Sequence, residues 1–141
     1  KAVGEGGFLE HASVHGHYYG TPKAPVMSQL KAGRDVILEI DVQGAMQVKE
    51  SYPDGVFIFI LPPSVDALRS RIMHRGTESE EDIQMRLGAA PREMVYLEHY
   101  DYYVVNDDLE KAVDSVKKIM AAEHWKVTDA AGILKRIKGE E

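Results

Sequence analysis

Glu39 and Asp41 stand two residues apart in the run EIDVQG, at the end of the apolar stretch Val36 to Ile40. Residues two apart on a strand share a face, and ionised carboxylates carried into an apolar setting are costly unless something compensates them. A ligand with hydrogen-bond donors would compensate them. The C-terminal edge of a parallel strand is where open α/β sheets bind ligands, so both residues are candidate ligand contacts. The competing reading is that they cap the next turn or the helix from Gln43 onward.

A second group lies in FLEHASVHGHYYGT, residues 8–21, which gathers Glu10, Tyr18, Tyr19 and Thr21 in a glycine-punctuated strand pair. A carboxylate can accept two parallel N–H bonds. Guanine offers such a pair in its ring N–H and the neighbouring amino group, whereas adenine presents an acceptor at the ring position. Two acceptors forced to face each other in a buried site cost about 1–3 kcal/mol, and sites built on such bonds discriminate sharply. The tyrosine and threonine hydroxyls suit a phosphate. Plain aromatic packing of a hairpin is the alternative.

The third group is RSRIMHRGTESEEDIQMR, residues 69–86, with Arg69, Arg71, Arg75 and Arg86 around Gly76-Thr77. Arg71 and Arg75 are four apart and share a helix face. A reversal at Gly76 would bring Arg86 to the same anion. The planar guanidinium fork matches phosphate oxygens, and phosphoryl transfer depends mainly on positioning and charge stabilisation. Against this, the arginines can pair with Glu78, Glu80, Glu81 and Asp82 as a solvated ion-pair face of little energetic weight.

The turn VVNDD, Val104 to Asp108, ends a strand at a helix start. It suits capping, and it also lies at the ligand-bearing edge of a sheet, where Asn106 can meet a nucleotide base. His11, His15 and His17 form H-x3-H-x-H, but no carboxylate stands at a supporting spacing, so no metal site is assigned to them.

Composition narrows the class. The 141 residues are 44% hydrophobic and 28% charged, with a net charge of −6 and no cysteine. These values suit one globular domain. The acidic balance, without a basic stripe, argues against a nucleic-acid partner. Disulfides and thiolate metal sites are excluded, and a reducing cytoplasm is the compatible setting. The longest apolar run, Val56 to Leu61, is of strand length, so no membrane span is read. The first residue is Lys1 and the opening KAVGEGG reads as a loop, so the chain is expected to begin inside a longer protein.

The elements that position these groups alternate. Phe8 to Val14 and His17 to Tyr19 read as a hairpin-like strand pair, and Pro22 and Pro25 open a helix that stops near Gly33. A strand over 36–41, a helix over about 43–51, and a strand from Val56 to Leu61 follow, and the continuous apolar runs predict burial on both faces. Ser64 caps a helix that buries Leu68 and Ile72, and Ser79 with Asp82 starts another. Pro91 predicts a bend or a helix start. A strand from Tyr102 to Val105 leads into a last helix with Leu109, Val113, Val116 and Met120 on its inner face. Strands alternating with helices predict an α/β fold.

In their order, FLEHA, YYGT, ILEIDVQGA, IFILPPS, LRSRIMHRGTESEEDIQMR and YDYYVVND resemble the guanylate kinase family of nucleoside monophosphate kinases over about Gly7 to Leu109. The resemblance implies an α/β parallel-sheet P-loop kinase core with a small GMP-binding β subdomain and a helical lid. It implies the Mg2+-dependent reaction ATP + GMP ⇌ ADP + GDP in purine nucleotide metabolism, in the cytoplasm, and it leaves a homo-oligomer open. Residues 1–33 would be the C-terminal part of the GMP subdomain, 34–70 core, 71–90 lid and 91–141 core. Carried over by position, Glu10 and Asp41 resemble guanine-reading carboxylates, Tyr19 and Thr21 contact groups of GMP, and Glu39 adjoins that pocket. Arg75 and Arg86 fall at lid arginines that reach the transferring phosphates, with Arg71 a third, and Asn106 and Asp107 match the ATP-side loop. Gly76 and Gly88 would flank a closing segment.

One departure is large. The family begins with a strand and a GxxxxGK[ST] loop whose amides and lysine cradle ATP phosphates, and no GK followed by Ser or Thr occurs in this sequence. The 141 residues alone are therefore expected to be a poor kinase, with the loop supplied by a preceding segment. Two readings compete with the enzyme: a guanylate-kinase-like module that binds phosphopeptides without catalysis, and a related kinase for another monophosphate.

Overall fold

The computed structural model describes residues 7–14, 17–74 and 79–140. Their contacts resolve into two compact units, one drawn from Lys1–Phe59 and Thr77–Tyr102, the other from Ile60–Gly76 and Tyr103–Glu141.

In the first unit, β1 (Phe8–Val14) and β2 (His17–Pro22) form an antiparallel pair. Phe8 faces Pro22 but Glu10 faces Thr21, so Leu9 is an extra residue in β1. Such a bulge re-aims the side chains that follow it. Here two consecutive side chains are taken out of solvent, Leu9 at 4% exposure and Glu10 at 9%. Helix α1 (Lys23–Lys31) ends before Gly33, whose φ of 79° is the left-handed conformation that glycine adopts freely.

The segment 34–40 carries no ladder among the described residues, which corrects the strand expected over 36–41. It keeps the period of a strand nonetheless. Val36, Leu38 and Ile40 are half-buried, while Ile37, at 72% exposure, Glu39 and Asp41 face outward. A strand is defined by its hydrogen-bonded neighbours, and no described strand lies alongside this one to pair with it or to cover its second face. The burial expected for Glu39 and Asp41 is therefore corrected too.

Helix α2 (Val42–Ser51) starts at Asp41, whose side chain accepts from the Gly44 N–H at 2.8 Å. Its inner residues Ala45 and Val48 join Leu9 and Phe57 in the core of this unit, with Val26, Leu38, Ile40, Met46, Tyr52 and Tyr100 packed around them. Helix α4 (Glu80–Met94) continues through Pro91 to Met94 and passes into a 3-10 turn, Val95–His99, so of the two alternatives weighed, a bend or a helix start, the helix start is ruled out. Proline's φ near −65° is itself helical, so the backbone angle does not force a stop.

Strands β3 (Ile58–Leu61) and β4 (Tyr102–Val105) form the second sheet. The Tyr102 N–H reaches the Phe57 carbonyl at 3.1 Å and the Asn106 N–H reaches the Leu61 carbonyl at 2.7 Å. The offset is 45 residues in both cases (102 − 57 and 106 − 61), so the strands run parallel. Phe57 and Phe59 are buried while Val56 and Ile60 are exposed, so this run too is covered on one face rather than two.

In the second unit, Ser64 caps α3 (Val65–His74) through the Ala67 N–H at 3.0 Å. Ile72 is buried as expected, and Val104 and Ala112 are buried as well. Asp108 caps α5 (Leu109–Glu123) through the Lys111 N–H. The inner face of α5 is turned from the one expected: Ala112 is buried and Val116, Ile119 and Met120 half-buried, whereas Leu109 is 71% exposed and Val113 is also outside. A further helix, α6 (Ala130–Lys138), follows, capped by Asp129 and closed by Gly139 at φ 71°, so α5 is not the last.

Candidate functional site

Glu10 is the centre of the site in the first unit. A buried carboxylate needs donors or a counter-charge to offset its lost hydration. Among the described residues it has one donor and no cation: the Thr21 hydroxyl donates to Oε1 at 2.7 Å. The direct cross-strand register of Glu10 and Thr21 brings the two together. An ionised carboxylate can accept about four hydrogen bonds. Among the described residues, most of that capacity is unused.

Two glycines make room for it. At Gly20 a β-carbon would stand 2.9 Å from the Glu10 backbone oxygen and 2.7 Å from the Phe8 ring. At Gly44 it would stand 3.0 Å from Glu10 Oε2 and 3.3 Å from Asp41 Oδ1. Helix α2 is tied to β1 beside these contacts. The Gln47 side-chain amide accepts from the His11 N–H at 2.8 Å and donates to the His11 carbonyl at 2.9 Å, as a neighbouring strand would. Ser51 Oγ donates to the Leu9 carbonyl at 3.2 Å. Gly44, Gln47 and Ser51, spaced by three and four, lie on one ridge of the helix.

Asp41 has the capping role weighed for it: one oxygen caps α2, and the group is exposed. Its charge, after burial, helps to push the Glu93 carboxyl above its usual range. The Tyr100 phenol is likewise pushed up by burial, then by the charges of Glu93 and Asp41. Tyr100 is held by edge contacts with Phe59, 4.8 Å between ring centres, and Phe57, 6.4 Å. Lys49 Nζ donates to the His99 carbonyl just before it and lies 5.8 Å over the Phe57 ring. Asp41, Glu93 and Tyr100 thus share one electrostatic neighbourhood, and the last two escaped the reading of the sequence. A Glu more than fifty residues from Asp41, in an ordinary helical pattern, carries no local signal.

The remaining candidates are placed as follows. Glu39 is exposed and makes no hydrogen bond or ion pair among the described residues. Tyr19 sits on β2 opposite Ala12, and Arg86 lies within α4; the side chains of both fall outside the described residues, as does Arg75 altogether. Gly76 is likewise outside, and Gly88 is a position within α4 rather than a turn. In the second unit, Arg71 donates to the backbone carbonyl of Asn106 at 2.5 Å, joining α3 to the end of β4, and Asp107 beside it is exposed. His15 lies outside the described residues, among which no group of three His, Cys, Asp or Glu could hold a metal ion. No helix among them is long and apolar enough to cross a membrane.

The guanylate kinase family model matches residues 1–123. A guanylate kinase of Caldanaerobacter subterraneus subsp. tengcongensis is 49% identical over 140 residues, 99% of this chain and 68% of that protein. One from Desulfitobacterium hafniense is 56% identical over 119 residues, 84% of this chain and 60% of that protein. The crystal structure of guanylate kinase from Anaplasma phagocytophilum superposes with a TM-score of 0.78 at 32% identity, over 98% of this chain and 67% of that one. This chain thus spans about 60% to 68% of the length of these relatives. The matched family, the shared fold and the order of the motifs agree, and the chain belongs to the guanylate kinase family.

Proposed function

We propose that the protein carrying this chain transfers the terminal phosphoryl group of ATP to GMP, giving ADP and GDP, in cytoplasmic purine nucleotide metabolism. The observation that carries the reading is the buried Glu10 carboxylate, with the Thr21 hydroxyl as its one donor and no cation among the described residues. Guanine brings the two parallel N–H groups that such an acceptor lacks. Adenine would turn a ring acceptor against it, at about 1–3 kcal/mol.

In this reading Glu10 and Asp41 face the base, Thr21 orients Glu10, and Tyr19 and Glu39 complete the GMP side. Arg71, Arg75 and Arg86 gather on the phosphates, and Asn106 and Asp107 meet the ATP. Residues 71–90 act as the lid. Mg2+ bound with ATP would supply charge neutralisation at the phosphates; such an ion keeps several waters and needs only one or two carboxylates besides the phosphates. The sequence contains no GK[ST] loop, so these 141 residues alone lack the cradle for the ATP phosphates.

The test is phosphate transfer from ATP to GMP, AMP and UMP by the full-length protein. Preference for GMP supports the reading. Equal use of all three, or no transfer to GMP, overturns it, and phosphopeptide binding without transfer would establish the binding-module alternative.

A further inference from the structure

Gly44 is used twice. Its N–H is held by Asp41 Oδ1 at 2.8 Å, and its missing side chain leaves space that Glu10 Oε2 and Asp41 Oδ1 occupy. Glycine within a helix is disfavoured against alanine, yet Gly44 is buried in the first turn of α2, where its absent β-carbon would lie 3.0 Å from Glu10 Oε2. A contact that close forces the carboxylate to give way by a few tenths of an ångström. On its other side the carboxylate is held by the Thr21 bond to Oε1 at 2.7 Å, and its strand is pinned to α2 by Gln47.

From this bracket we infer that Gly44 is a specificity-determining position: its lack of a side chain sets where the Glu10 carboxylate stands, and so how well a purine with both a ring N–H and a 2-amino group is told from one without the amino group. The inference rests on the assignment of Glu10 as the base-reading group. Hydrogen-bonded recognition loses its selectivity when the acceptor is displaced by a fraction of an ångström. Alanine keeps the N–H that Asp41 Oδ1 accepts, and of the two contacts its β-carbon would make, the tighter, 3.0 Å, falls on Glu10 Oε2 and the looser, 3.3 Å, on Asp41 Oδ1.

The experiment is a double-mutant cycle on the full-length protein, with Gly44→Ala, Glu10→Gln and the pair, assayed for kcat and KM with GMP, with inosine monophosphate, which lacks the 2-amino group, and with ATP. Gly44→Ala should lower kcat/KM for GMP by about tenfold or more and narrow the preference for GMP over inosine monophosphate. The KM for ATP should stay within about twofold. In the Glu10→Gln background the same change should add less than about twofold, since interacting sites are non-additive. Full additivity or an unchanged GMP preference overturns the inference. If Glu10→Gln itself leaves the preference intact, the base-reading assignment fails; if it abolishes the preference while Gly44→Ala does not, the failure is of Gly44 alone.

Discussion

The Thr21 hydroxyl donates a 2.7 Å hydrogen bond to Oε1 of Glu10 across the β1–β2 pair. Among the described residues it is the one donor to a carboxylate that the bulge at Leu9 helps to turn out of solvent. Thr21→Val keeps the shape and removes the donor, leaving a buried acceptor charge without protein support. The variant should be less stable by about 1–3 kcal/mol, measured by urea unfolding, and should bind GMP more weakly by calorimetry. Unchanged stability and GMP affinity would count against Thr21 as the group that orients Glu10.

Gln47 substitutes for a strand neighbour by bonding both the N–H and the carbonyl of His11. Gln47→Ala removes two exposed hydrogen bonds, each worth about 0.5–1.5 kcal/mol net. The expected loss is about 1–2 kcal/mol in urea unfolding, with faster amide exchange at His11 than in the parent protein. Unaltered exchange there would show that β1 needs no tie to α2.

Arg71 is exposed and bonds the Asn106 carbonyl. Arg71→Ala removes that one exposed hydrogen bond and should cost about 0.5–1.5 kcal/mol of stability. If Arg71 serves the ATP side, the KM for ATP should rise or kcat fall while the KM for GMP holds within about twofold. Parental kinetics for both nucleotides would remove Arg71 from the phosphate-binding set.

Glu93 carries its proton more tightly in the folded state, through burial and the charge of Asp41. Between the ordinary glutamate range and the raised folded value, the native state binds more protons than the unfolded chain, so stability falls as pH rises through that window. Its contribution is whole below the window and lost above it. Glu93→Gln should flatten this part of the stability curve, read as the urea midpoint against pH, and it should gain relative to the parent on the alkaline side. Parallel curves for the two proteins would show that Glu93 is not perturbed.

Helix limits were legible where the signals are local. Asp108 and Ser64 cap the helices that their positions indicated, and Gly33 stands just past the end of α1 in the left-handed conformation. Asp129 and Gly139 bracket α6 with the same signals, which were present in the sequence but went unread. The rotated face of α5 was less legible, because Leu109 and Val113 satisfy the helical period as well as Ala112 and Val116 do. Periodicity names a stripe but not the direction in which neighbours lie.

The sequence by itself determined the chemistry on offer: a carboxylate and a threonine in one strand pair, a second acidic pair after an apolar run, arginines around a glycine, and the family order of the motifs. Tertiary structure alone decided which of those acids is withdrawn from water. The bulge at Leu9 takes Glu10 inside, while Glu39 and Asp41 stay in solvent on a segment with no described neighbour on that face. It also decided that Glu93 and Tyr100 share the field of Asp41. Burial and electrostatic proximity are properties of residues far apart in the chain, set by which elements pack together, and no local spacing encodes them.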